Sequence, residues 1–427
     1  MRALFYSWEE FNYLDAVDTL LELGIEVHIL AANYKRVEEE IKKTLAYRDF
    51  TDIKKIFVPI DGKLWVDKGK RPDQNPEFET IVFNELVKKE GGSNFYDLVF
   101  SFNYFPVISS VCSKLKIPYI CHVYDSPFYP MASVEVDNEC NHIYTFDKKQ
   151  AEAAREKGVK TISYAPLGVN VKRITGKIDI TKKPEYKHEV SFLGQLYRGE
   201  YDFYDQMYSA IPKENAGYFD GVISAQEQLF GHDIIGDEDV IPYEVISSSL
   251  ERINFEFSGS YKLDTYELIR DFIRRKVSKN ERWKLMEKVA ARFDLDLYTY
   301  AYAEIPAGAR NMGYADYMEE VPDIFNSSKI NLNITLRTII SGIPLRVTDV
   351  LSCGGFLITT YQEQAAAEFE DGKHLVMAYT PEDLIEKISY FLKDDEKREK
   401  IALAGYKKII SERDYTKILG KMISESI

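Results

Sequence analysis

A chain of 427 residues, 45% apolar and 29% charged with no long low-complexity tract, is long enough for two or three domains that each bury a core, which excludes a disordered chain. Lys and Arg number 55 against 69 Asp and Glu, and the formal charge of -14 repels nucleic-acid phosphates and anionic membranes, so an anionic ligand needs a local cluster of cations. The four cysteines, Cys112, Cys121, Cys140 and Cys353, form no CxxC pair, which argues for reduced thiols and against a disulfide scaffold or zinc site.

The opening MRALFYSWEE turns polar after six residues, and no later apolar run approaches the ~18 residues of a membrane span. A cytoplasmic protein with no signal peptide and no transmembrane segment is expected. RALFY (2 to 6) reads as a buried strand, DAVDTLLELG (15 to 24) as an amphipathic helix stopped by Gly24, and IEVHIL (25 to 30) as the next strand. The pattern continues with KKIFVPI (54 to 60), a helix over 77 to 90, YDLVFSF (96 to 102), a helix over 106 to 115, IPYICHVYD (117 to 125), HIYTFD (142 to 147), a helix over 148 to 158 and VKTISYAPLG (159 to 168). Strands apolar on both faces and alternating with helices predict a parallel α/β sheet, so residues 1 to 170 are expected to form a Rossmann-like domain.

The polar, lysine-rich stretch 171 to 188 reads as a linker. A second α/β series starts at EVSFLG (189 to 194), is interrupted by a mostly helical insertion over about 200 to 292, and resumes with FDLDLYTYA (293 to 301), SKINLNI (328 to 334), a helix over 344 to 353, FLITT (356 to 360) and HLVMAY (374 to 379). A helix capped by Thr380 with Pro381 in its first turn follows, and the remainder is helical. The expected architecture is α/β: two tandem Rossmann-like domains, 1 to 170 and 189 to 405, with parallel sheets facing a central cleft, and a C-terminal helix over 406 to 427 packing back on the first domain.

The turn after the first strand, YSWEEFN, has no glycine where a dinucleotide fold needs GxGxxG, and no GxxxxGK[ST] phosphate loop occurs, which disfavours NAD or FAD enzymes and P-loop NTPases. The segment GIPLRVTDVLSCGG (342 to 355) predicts a short helix with Pro344 in its first turn and Gly354 at its C-terminal cap. Arg346 and Asp349 share one face of it. On a solvated face they would be an ordinary ion pair; beside the apolar Val347, Val350 and Leu351, at the carboxyl edge of a sheet, Arg346 can hold a phosphate and Asp349 can accept from ribose hydroxyls.

HVYDSPF (122 to 128), TFDKKQ (145 to 150), YAPLGVN (164 to 170), VSFLGQLY (190 to 197) and KINLNITLRTIISGIPLRVTDVLSCGGFLIT (329 to 359) resemble the motifs of the CgeB-like, spore-maturation group of GT-B glycosyltransferases, over nearly the whole chain. The resemblance implies a hexosyltransferase-like enzyme with an N-terminal acceptor domain and a C-terminal nucleotide-sugar domain. It implies a UDP- or dTDP-type sugar donor as substrate, a glycan, protein or small-molecule acceptor, and no cofactor. It also places Asp349 where many such enzymes put an acid on the nucleotide ribose. Retaining members carry a second acid eight positions earlier; here that position is Ser341, so inversion is expected.

Inversion needs a base for the acceptor hydroxyl and cations for the leaving diphosphate. Asp125, directly after the strand IPYICHVY, is the candidate base, with a turn or capping role as its alternative. His122 is the second candidate, weighed against a hydrogen-bonded core histidine. Gly194 and Arg198 after EVSFLG are candidates for admitting and neutralising the diphosphate, Arg337 is another phosphate contact, and Asn333 or Asn331 could meet base or sugar. The DLD at 294 to 296 resembles a metal-binding DxD, but its strand context favours a sheet position, and no metal is expected. The basic run IRDFIRRKVSKNERWK (269 to 284) reads as a solvated helix. A nucleotide-sugar epimerase or hydrolase, and a non-catalytic spore or surface assembly protein, are the alternatives.

Overall fold

The computed structural model describes every residue except Glu9, 32–33, 45–56, 60–75, 199–202 and 251–261. Two compact units result: residues 1–173 with Lys262 and 413–427, and residues 174–250 with 263–412. The expected strand KKIFVPI is present as Phe57–Pro59, its remaining residues lying outside the described ones.

The first unit is built on a parallel sheet of β1 (Arg2–Ser7), β2 (Glu26–Ala31), β3 (Phe57–Pro59), β6 (Leu98–Phe102), β7 (Tyr119–Val123), β8 (Asn141–Thr145) and β9 (Ile162–Tyr164), in the order β3-β2-β1-β6-β7-β8-β9. Two short strands, β4 (Lys89–Glu90) and β5 (Ser93–Asn94), form a separate hairpin where a continuous helix to residue 90 was expected; the helix Pro76–Leu86 stops before it, and the Gly91–Gly92 turn supplies two positive φ angles. Every residue of β6 and β7 is buried, which is why these stretches are apolar without alternation. The sheet order reverses between β1 and β6, so the loops after these two strands part at their carboxyl ends, where open α/β sheets take ligands.

The stretch expected as a linker begins with a helix, Val171–Lys177, and the division between units falls inside it. Asn170 Oδ1 accepts from the N–H of Arg173 at 2.9 Å at its start, and Arg173 Nε and Nη2 donate to the two carboxylate oxygens of Asp15 at 2.7 and 2.8 Å, with both side chains buried. At the other end of the chain, the helix Tyr415–Ser426 belongs to the first unit and buries Tyr415, Leu419, Met422 and Ile423 there. Val169 and Tyr415 exchange backbone hydrogen bonds with the chain opposite (Val169 N to Arg413 O and Tyr415 N to Val169 O, both 2.9 Å). Gly168 lets this segment approach, since a Cβ there would lie 2.7 Å from Ile418.

The second unit carries a parallel sheet of β10 (His188–Leu193), β11 (Leu295–Tyr298), β12 (Arg310–Asn311), β13 (Ser328–Asn333), β14 (Leu357–Thr360) and β15 (Val376–Ala378), ordered β12-β11-β10-β13-β14-β15. Its reversal lies between β10 and β13. The insertion after β10 is helical in its described part, with helices at Phe203–Ala210, Lys213–Gln226, Tyr243–Leu250 and Thr265–Ala290; residues 200–202 and 251–261 lie outside the described ones. The helix Thr265–Ala290, capped by Asp264, is not the solvated helix that its charges suggested. It buries Arg270, Asp271, Arg274, Glu281 and Arg282, and Arg274 pairs with Asp233 at 2.7 Å. Among the described residues no helix is long and apolar enough to cross a membrane.

Candidate functional site

The helix Leu345–Ser352 starts one residue later than the sequence suggests: Pro344 is extended (ψ 151°) and occupies the N-cap, where no side chain caps the exposed N–H groups. Val347, Val350 and Leu351 are buried, and Gly354, in the left-handed region at φ 68°, ends the helix as expected. Arg346 therefore sits in the first helical turn, close to the positive end of the helix dipole.

Arg346 and Asp349 do not form the i,i+3 ion pair of an ordinary helix face. Asp349, 8% exposed, accepts a hydrogen bond from the hydroxyl of Tyr317 at 2.9 Å. Arg346 makes no hydrogen bond or ion pair among the described residues, and its enclosed Nε has no partner. Its guanidinium lies 5.4 Å from the centre of the Phe192 ring and against the backbone of Gly194: a Cβ on residue 194 would stand 2.9 Å from Nη2. Gly194 holds φ 146°, and its N–H donates to Tyr298 O at 2.9 Å, fixing the loop after β10.

A second cation stands beside it. Arg282 is 5% exposed and lies 5.6 Å from the same Phe192 ring. Its Nη1 donates to Gln195 O at 2.8 Å, and Nε and Nη2 donate to Ile334 O at 3.2 and 2.8 Å. One guanidinium thus ties together the loops leaving β10 and β13, the two strands at the reversal of the sheet. Burial lowers the pKa of Arg282, and burial followed by repulsion from Arg282 pushes that of Arg346 down to about 10. Both remain charged at neutral pH. That shift leaves the Arg346 cation roughly 3 kcal/mol less favourable than in water. Two desolvated cations, an open glycine backbone and a helix N-terminus form a site for an anion with more than one charge.

The other sequence candidates separate into two groups. Gly194 and Arg346 lie against each other just after β10, and Asp349 sits one helical turn beyond Arg346, near enough for its charge to act on the guanidinium. Arg198 does not join them: it is exposed, with its guanidinium 4.1 Å from the centre of the Trp283 ring and its Nε 3.5 Å from Glu304, and the cation beside Arg346 is Arg282. Arg337 is committed to Glu281, donating to it at 3.0 and 2.7 Å, and its backbone N–H donates to Ser278 Oγ at 2.8 Å. Asn333 is 1% exposed and donates to the hydroxyls of Thr335 and Thr359, both at 2.9 Å, so it ties strand ends instead of facing a ligand. Asn331 is likewise spent inside the sheet, on Phe325 O and Phe356 O.

Of the two aspartates of the DLD stretch, Asp296 lies in β11 and Asp294 is exposed just before it. Asp296 is 1% exposed and binds His188 Nδ1 at 2.6 Å and Arg310 at 2.6 and 3.0 Å. No group of three or more His, Cys, Asp or Glu is placed to hold a metal among the described residues. A cavity of about 270 Å³ opens at the amino ends of β13 and β14. Its cations Lys182, Lys183 and Arg398 are each paired already, with Asp179, Glu399 and Asp395, so it offers no excess charge to an anion.

In the first unit, Asp125 is exposed just beyond the carboxyl end of β7, and its Oδ2 accepts from Asn103 Nδ2 at 2.9 Å. His122 differs: it is fully buried, its ring stacks on Tyr415 (5.9 Å, 12°), Nδ1 lies 3.3 Å from Tyr415 Oη and Nε2 3.3 Å from Ala165 O. Burial pushes its pKa down to about 4. It is a neutral core residue that packs against the first residue of the C-terminal helix.

Residues 274–424 match the family model described as glycosyl transferase-like. The curated protein sequences gave no match. Among solved structures, a glycosyltransferase from Rickettsia africae is similar at TM-score 0.50 and 12% identity, covering 100% of this chain and 97% of that one. Alr3699/HepE of Anabaena, solved in complex with UDP-glucose, is similar at TM-score 0.51 and 11% identity, covering 100% and 99%. The chain therefore has the two-sheet fold of GT-B glycosyltransferases, and the stretch similar to the glycosyl transferase-like model runs from the helix Thr265–Ala290 to the C-terminal helix.

Proposed function

We propose that this protein transfers a sugar from a UDP- or dTDP-type donor to a hydroxyl acceptor. The observation that carries the reading is Arg346, a desolvated cation with no ion-pair partner among the described residues, set against the bare backbone of Gly194 beside Arg282. A diphosphate supplies the missing charge, and as the sugar bond breaks the same cations stabilise the charge developing on the leaving group. Asp349 then lies one helical turn from Arg346 to accept from the ribose, with Tyr317 holding one of its oxygens. A likeness in fold to Alr3699/HepE, solved with UDP-glucose, supports a UDP-type donor.

Asp125 takes the proton from the acceptor, and the reaction inverts, because Ser341 stands where a retaining enzyme of this kind has its second acid. The cations of the site do the work that a divalent ion does elsewhere, so transfer proceeds without a metal. Mass spectrometry of products from a panel of nucleotide sugars and acceptors, with and without EDTA, tests the whole reading. UDP and dTDP that fail to bind in calorimetry would refute it.

A further inference from the structure

We propose that Asn103 is a positioning residue for Asp125, setting the direction of the carboxylate that receives the acceptor proton; this rests on the reading of Asp125 as the base. Asn103 directly follows β6, at the carboxyl edge where the order of the first sheet reverses. Its backbone is left-handed, with φ 60°, a conformation that costs a residue other than glycine roughly 1 kcal/mol or more. Glycine would serve the turn at less cost, so the side chain must justify its presence.

Both ends of that side chain are used. It is 2% exposed; Oδ1 accepts from the N–H of Tyr124 at 2.9 Å, and Nδ2 donates to Asp125 Oδ2 at 2.9 Å. The N–H of Asn103 donates to His122 O at 2.9 Å, locking the end of β6 to that of β7. On the far side of Asp125, Ser126 donates to Asp147 Oδ2 at 2.9 Å, and Asp147 caps the helix Lys148–Glu156. An exposed carboxylate is thus suspended between two anchored neighbours, with one oxygen held by an amide that has no freedom to follow it. Of the common side chains of this size, asparagine alone offers an acceptor to Tyr124 and a donor to Asp125. Aspartate would keep the first contact and turn the second into repulsion.

Asn103→Asp is therefore the test, read as UDP release from UDP-glucose with water as acceptor and as the crystallographic placement of Asp125. The expected result is a kcat lower by about 10- to 100-fold with KM for UDP-glucose unchanged, and a carboxylate turned away from residue 103. Asn103→Gly, which relaxes the backbone, should show the same loss of kcat even if the aspartate variant folds poorly. In an Asp125→Asn background, Asn103→Asp should cost nothing further. Wild-type turnover in both Asn103 variants, with Asp125→Asn inactive, overturns the proposal alone. Full turnover by Asp125→Asn overturns the assignment of the base, and this proposal with it.

Discussion

Arg282 and Arg346 hold their guanidinium groups 5.6 and 5.4 Å from the centre of one ring, Phe192, and neither forms an ion pair among the described residues. Desolvated cations with no ion-pair partner weaken a fold, and a ligand that supplies the opposite charge offsets that cost. Arg346→Ala should therefore separate binding from stability. The Kd for UDP is expected to rise about 10- to 100-fold, while the melting temperature of the unliganded protein holds or rises. An unchanged Kd in calorimetry removes Arg346 from the site.

Gly194→Ala tests the approach of backbone to guanidinium. At φ 146° an alanine is strained, and its Cβ would meet Arg346 Nη2 at 2.9 Å and Nη1 at 3.2 Å. A loss of roughly 1–3 kcal/mol in urea unfolding is expected, together with weaker UDP binding as Arg346 is pushed aside. Wild-type affinity in this variant would mean that the loop after β10 plays no part in holding the nucleotide.

Asp349→Ala should distinguish ribose from phosphate. Its carboxylate is assigned to the sugar of the nucleotide, so UDP binding should fall about tenfold while pyrophosphate binding is unaffected. Equal losses for both ligands would place Asp349 in the structure of the helix and not on the ligand.

His122 gives a prediction in pH. Its pKa in the fold, about 4, lies below the ordinary 6.5, so the unfolded chain binds the extra proton first as pH falls. The stability it contributes is complete above pH 6.5 and is lost between 6.5 and 4. By pH 4.5 the loss amounts to roughly 2–3 kcal/mol, and His122→Gln should lose that much less between pH 7 and 4.5 in urea unfolding of the first unit. Parallel pH curves for the two proteins would exclude His122 as the titrating group.

Most of the strands, and Gly194, Arg346 and Asp349 as candidates, could be read from sequence because buried parallel strands and helix stops leave local signals. EVSFLG carries Val190, Phe192 and Leu193, SKINLNI alternates Ile330, Leu332 and Ile334 with Asn331 and Asn333, and Pro344 and Gly354 bracket a helix whose Arg346 and Asp349 stand out against Val347 and Val350. Arg282 left no such signal. It lies among Arg274, Arg275, Lys276, Lys279 and Lys284, and only the packing of the helix Thr265–Ala290 decides which of these cations turns inward. Arg198 and Arg337 failed as candidates for the converse reason: partners distant in sequence, Trp283 and Glu304 for one and Glu281 for the other, had already claimed them. Asn103 carried a cue in hindsight, an asparagine ending an apolar strand, but its left-handed backbone and its reach to Asp125 belong to tertiary structure.

The pairing of Tyr415 with His122 also bears on how the chain reaches its native state. The ribosome must finish every residue of the second unit before Tyr415, Leu419 and Met422 exist to complete the hydrophobic interior of the first. Until then the N-terminal half waits with an uncovered apolar flank, a vulnerability that chaperones would have to shield during synthesis.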